Sequence, residues 1–152
     1  MHKPDAVLVD VDGTLVDVTG IRHLVEGENR DFNAFHKASI DCQPNFPVLQ
    51  RVQELHDLGH SVVVISGRDE RFRRLTDFWL AMWAVPCDQL LMRRSGDSRS
   101  DVLVKEEIFK EVSEHFKIVE AIDDREDLLK MWKSLKVERV VDVQNLLNVK
   151  GV

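Results

Sequence analysis

Tyrosine is absent from the 152-residue chain, and cysteine occurs only twice, as Cys42 and Cys87. Two cysteines cannot form a disulfide scaffold, and they fit neither a CxxC nor a zinc-ligand spacing. A reduced, cytoplasmic setting is the expectation. With seven glycines and four prolines there is no flexible or proline-rich linker, so one domain over residues 1–152 is expected. No apolar run nears the roughly 18 residues of a membrane span, because Val62–Ile65 runs straight into Ser66-Gly67-Arg68. Met1-His2-Lys3-Pro4-Asp5 leads almost at once into a strand-like run, which leaves no room for a signal peptide. No GxxxxGK[ST] phosphate loop occurs, so no ATP-binding loop is expected. Basic residues number 21 against 27 acidic ones, a net charge of −6 that argues against coating of a long duplex. There is no internal repeat, and nothing in the sequence speaks to oligomeric state.

What is present is a rhythm. Apolar residues make up 43% and charged residues 32%, an ordinary globular balance. Ala6–Val9, Val62–Ile65, Gln89–Met92, Ile118–Ile122 and Val137–Val141 read as five short strands. Between them lie amphipathic stretches. Val48, Leu49, Val52, Leu55 and Leu58 mark one helix, and Phe72, Leu75, Phe78 or Trp79, and Met82 mark another. Ile108, Phe109 and Val112 mark a third around Lys105–His115, and Leu128, Leu129 and Trp132 a fourth. Alternation of this kind predicts an α/β fold, a doubly wound, Rossmann-like parallel sheet with helices on both faces. Residues 15–47 break the rhythm with polar residues and isolated aromatics such as Phe32 and Phe35. So long a connection inside a domain reads as a small cap or lid.

Four polar clusters follow apolar runs, where such a sheet presents its ligands. The first is Asp10-Val11-Asp12-Gly13-Thr14, two carboxylates spaced to share one side of a strand end. The second is Ser66-Gly67-Arg68, a hydroxyl, a flexible amide and a guanidinium suited to phosphate at a helix start. Lys105, in Asp101-Val102-Leu103-Val104-Lys105, is the third. Asp123-Asp124 is the fourth, an adjacent pair whose repulsion a hard divalent cation would relieve. Taken singly, each reads as well as a turn, a cap or a solvated charge.

Their order is what carries information. Asp-x-Asp-Gly-Thr, strand-Ser-Gly-Arg, Lys, then strand-Asp-Asp resembles the four-part signature of haloacid-dehalogenase-like phosphohydrolases. The run Ser95–Phe109, with Ala121–Arg125 and Met131-Trp132, is similar to the 3′-phosphatase domain of phage polynucleotide kinase/phosphatase. Residues 15–47 have no match in that pattern.

The resemblance implies a phosphatase in which Asp10 attacks phosphorus, Asp12 is the general acid and base, and Lys105 neutralises charge. It implies Mg2+ held by Asp10, the Asp12 carbonyl and one of Asp123 and Asp124. Thr14, Ser66, Gly67, Arg68 and Asp101 are expected around the phosphate, with Asp101 holding Lys105 in place. Arg22 is offset by one from a comparable arginine. The implied substrate is a phosphate monoester, a nucleic-acid 3′ end or a nucleotide. A 5′-nucleotidase and a non-catalytic phosphate-binding module are the alternatives. Residues 66–105 hold eight basic and six acidic side chains, against thirteen and twenty-one elsewhere, which suits a small anion or a nucleic-acid end. Arg71, Arg73, Arg74, Arg93 and Arg94 read equally as a solvated face.

Overall fold

The five apolar runs assemble into one all-parallel sheet in the computed structural model, which describes residues 2–148. The strands are β1 (Asp5–Asp10), β2 (Ser61–Asp69), β3 (Gln89–Arg93), β4 (Lys117–Asp123) and β5 (Arg139–Asp142), in the order β3-β2-β1-β4-β5. Among the described residues six helices accompany them: α1 (Phe32–Ala38), α2 (Phe46–Asp57), α3 (Arg73–Met82), α4 (Asp101–Ser113), α5 (Glu126–Ser134) and α6 (Val143–Asn148).

Alternate side chains of each central strand enter different cores, as the two-fold strand period requires. Val7 and Val9 of β1 and Val62 and Val64 of β2 pack with α2, α3 and α6. Ala6, Leu8, Val63 and Ile65 face the other way, toward α4 and α5. Burial on both faces is why these strands read as continuous apolar runs.

Several expected details shift. Helix α4 begins at Asp101, because Ser100 caps it by accepting from the Leu103 N–H at 3.4 Å; Lys105 therefore lies in its second turn. Strand β2 continues to Asp69, so Ser66-Gly67-Arg68 lies inside the strand end, beside a register break against β3. Strand β5 starts two residues later than Val137. Of the helix marks, Leu58 and Met82 are exposed; of Phe78 and Trp79 it is Trp79 that turns inward.

Residues 15–47 are partly structural. Leu15, Val16, Val18 and Phe35 join the larger core, and Asn45 ties the segment back by donating to the Thr14 carbonyl at 2.8 Å. Single turns of 3-10 helix at Arg22–Val25 and Ser39–Asp41 flank α1.

The chain crosses from β1 out to β2 and β3, then returns past β1 to β4 and β5. Beyond the carboxyl ends of β1 and β4 these opposite crossovers part and leave a crevice, the usual ligand site of such sheets.

Candidate active site

Asp10 ends β1 in that crevice and is only 6% exposed. Lys105, 2% exposed, reaches in from α4 and donates to Asp10 Oδ1 at 2.8 Å and Asp123 Oδ2 at 3.4 Å. Asp123 ends β4 and is fully engaged. Its Oδ2 also accepts from Trp132 Nε1 at 3.1 Å, and its Oδ1 accepts from the Asp124 N–H at 2.9 Å. Asp124 keeps a freer carboxylate, touched by the Thr14 hydroxyl at 3.4 Å; that hydroxyl is also 3.3 Å from Asp10 Oδ2.

Gly13 is required here. Its φ of +79° is left-handed, and a Cβ at that point would collide with the Asp124 carboxylate. Gly67 is constrained from the other side, since a Cβ there would sit 2.5 Å from Asp101 Oδ1.

The charges of this cluster do not balance. Asp10, Asp123 and Asp124 bring carboxylate oxygens within 4.8 Å of one another, against the single ammonium of Lys105. Burial pushes the Asp10 carboxyl up; Lys105 opposes this, while Asp123 and Asp124 add to it, and the net direction is well upward. Burial, then Asp123, pushes Asp124 up to about 6. Burial disfavours the Lys105 ammonium, but Asp10 and Asp123 outweigh it and hold the charge. Crowded carboxyl oxygens with surplus negative charge are the donor set of a hard divalent cation, so the residues fit the expected metal.

Asp12 is held differently. Arg68 donates from Nε to Asp12 Oδ2 at 2.9 Å and from Nη2 to Oδ1 at 2.5 Å. Two of the three remaining guanidinium hydrogens go to Thr76 Oγ1 at 3.0 Å and Ser39 Oγ at 2.9 Å. Arg68, expected at the phosphate, is thus committed to the carboxylate of Asp12. Ser66 is 1% exposed, and its hydroxyl accepts the Arg68 N–H at 3.0 Å. Asp101 makes no bond to Lys105. From the first position of α4 it accepts from Arg93 Nη2, and from Arg125 Nη1 at 2.6 Å.

A cleft of about 940 Å3 opens above these groups, and Asp10, Asp12, Lys105, Asp124, Phe32 and Arg71 are among its lining residues. Its size is that of a small-ligand site. His36, which the sequence reading passed over, lines it too, with Nδ1 3.9 Å from Asp12 Oδ2 and without a hydrogen-bond partner. Its only sequence signal was the helical spacing from Phe32.

Residues 4–145 match the family model of the polynucleotide kinase PNKP phosphatase domain. The chain belongs to that family. As a PNKP phosphatase domain it is a phosphatase of haloacid-dehalogenase-like fold, as the four-part signature had indicated. It is 28% identical over 143 residues to the "Putative bifunctional polynucleotide kinase/RNA ligase" of Autographa californica nuclear polyhedrosis virus, covering 92% of this chain and 19% of that protein. A solved Pnkp1/Rnl/Hen1 complex contains a chain with 30% identity and a TM-score of 0.80, over 93% of this chain and 45% of that one. The class C acid phosphatase of Bacillus anthracis shares the fold at a TM-score of 0.69 and 16% identity, over 93% and 67% of the two chains. The PNKP-type domain therefore spans about a fifth of its viral relative and under half of the solved chain. Among the described residues, no helix is long and apolar enough to cross a membrane.

Proposed function

We propose that this domain is a Mg2+-dependent phosphomonoesterase that removes a 3′-phosphate from a polynucleotide end or nucleotide. The observation that carries this reading is the pairing, at one strand end, of a lysine-bound Asp10 with an arginine-bound Asp12 in a phosphatase family.

The arrangement divides the labour of Asp10. Lys105 takes Oδ1, which leaves Oδ2, within reach of the Thr14 hydroxyl, as the attacking oxygen. Attack forms the Asp10–phosphorus bond and breaks the bond to the leaving oxygen, splitting one hard displacement into two. Asp12 gives its proton to the departing alkoxide, then takes one from the water that hydrolyses the aspartyl phosphate. Lys105 and the Ser66 hydroxyl orient and neutralise the phosphoryl oxygens. Asp10, the Asp12 carbonyl and Asp124 would hold the cation, because Asp123 is already occupied by Lys105, Trp132 and a backbone N–H. When bound, Mg2+ supplies positive charge against the phosphate and the acidic cluster. Residues 15–47 act as the cap that selects the substrate.

The deciding experiment is phosphate release from 3′-phosphorylated oligonucleotides, 3′-mononucleotides and 5′-mononucleotides under identical conditions. The 3′ substrates should be turned over with the higher kcat/KM. A clear preference for free 5′-mononucleotides would replace this substrate with that of a nucleotidase.

A further inference from the structure

One wall of the cleft, beside Asp12, carries aromatic rings and guanidinium groups. Phe32 opens α1 and is 55% exposed, unusual for a phenylalanine lining a cavity. Behind it the packing is continuous. Its ring lies 6.4 Å from that of His36, one turn along the same helix face, and His36 packs 4.7 Å from Phe72. The Arg71 guanidinium carbon sits 4.8 Å above the Phe72 ring, and Arg71 Nη2 donates to Asn33 at 2.6 Å, tying α1 to the segment after β2. Phe32 is therefore an exposed ring on a braced backing. Arg22 and Arg30 stand exposed along the same cleft.

Position relates this wall to the reaction. His36 Nδ1 is 3.9 Å from Asp12 Oδ2, so the wall begins beside the group assigned to protonate the leaving oxygen. Whatever departs toward Asp12 extends along it. A phosphate alone leaves most of the cleft's roughly 940 Å3 empty. An open aromatic face beside guanidinium groups suits a flat heterocycle attached to an anionic backbone, because any base offers a π-face and the arginines attract phosphate.

Resting on the 3′-phosphatase reading, we propose that Phe32, backed by His36 and Phe72, is a stacking seat for the base of the terminal nucleotide. Arg71 then lies beside the preceding phosphate. The seat reads base shape weakly and base presence strongly, since stacking tolerates any base.

The test measures kcat/KM of the wild type and of Phe32→Ala and Phe32→Trp. The substrates are a 3′-phosphorylated trinucleotide, the same oligomer with an abasic 3′-terminal sugar phosphate, and an aryl phosphate. For Phe32→Ala, the loss on the base-bearing oligomer should exceed the loss on the abasic one by about ten- to a hundredfold. Phe32→Trp should retain wild-type values on both. Equal losses on all three substrates would mean that Phe32 only supports α1, and no loss on the base-bearing oligomer would remove the seat. A wild type that cleaves the aryl ester but neither oligomer overturns the substrate reading itself, and the seat with it.

Discussion

The Arg68 guanidinium meets the Asp12 carboxylate edge to edge, two N–H groups on two oxygens, although the residues lie 56 positions apart. Arg68 is 2% exposed, and two further hydrogens are fixed by Ser39 and Thr76. The proton donor of the proposed reaction is thus aimed by a buried fork. A lysine cannot reproduce that fork. Arg68→Lys should lower kcat on a 3′-nucleotide by roughly a hundredfold, the low end of what a placed proton donor contributes. The loss should shrink on an aryl phosphate, whose leaving group needs little protonation. Steady-state kinetics on the two substrates checks this.

Replacing the proposed nucleophile separates chemistry from folding. Asp10→Asn keeps the size of the side chain and removes the anionic oxygen, so phosphate release should fall to background with circular dichroism unchanged. Asp12→Asn should be severely impaired on sugar phosphates and less so in the first step on nitrophenyl phosphate. Near wild-type release by Asp10→Asn from an aryl phosphate would overturn the aspartyl-phosphate route.

Charge in the crevice predicts metal dependence. Three carboxylates face one ammonium, so chelation should abolish turnover and added Mg2+ should restore it. Mg2+ should also raise the melting temperature, because an ion that binds the folded state stabilises it. Asp124→Asn should raise the Mg2+ concentration needed for half-maximal activity. Calorimetric titration of the wild type and Asp124→Asn measures the difference directly.

Stability in acid should depend on a carboxylate far from the reaction. Glu120, in the middle of β4, is fully buried and accepts from Arg51 Nη2 at 2.7 Å and Arg139 Nε at 2.9 Å. Burial alone would raise its carboxyl, but the two arginines outweigh that and hold it below the ordinary 4.5. A group depressed in the folded state stabilises above its unfolded value and loses that contribution as pH falls through the folded one. Denaturation curves should therefore weaken below about pH 4.5. Arg51→Ala should cost about 2 kcal/mol at neutral pH, less than full loss of a buried pair because Arg139 remains, and should flatten the acid limb.

The strands and the four polar clusters were legible because both are local signals. A strand buried on two faces must be apolar throughout, and it stops where side chains such as Asp10 and Asp123 leave the core. Lys105 was legible only by its place in the four-part order; its 2% exposure follows from α4 packing against β2 and β4. Local pattern misled at Leu58 and Met82, whose spacing matched a helix face that the packing did not bury.

By itself the sequence determined the α/β class, the five strands and the places where carboxylates end β1 and β4. Strand order, the commitment of Arg68 to Asp12, the arginines on Asp101 and the exposure of Phe32 in the cleft were decided only by the tertiary structure. The physical reason is that periodicity records which side of an element is dry. It does not record which distant side chain arrives there, and partners 24 residues apart on Asp101, 56 on Asp12 or 69 on Glu120 meet only once the crossovers set the sheet order.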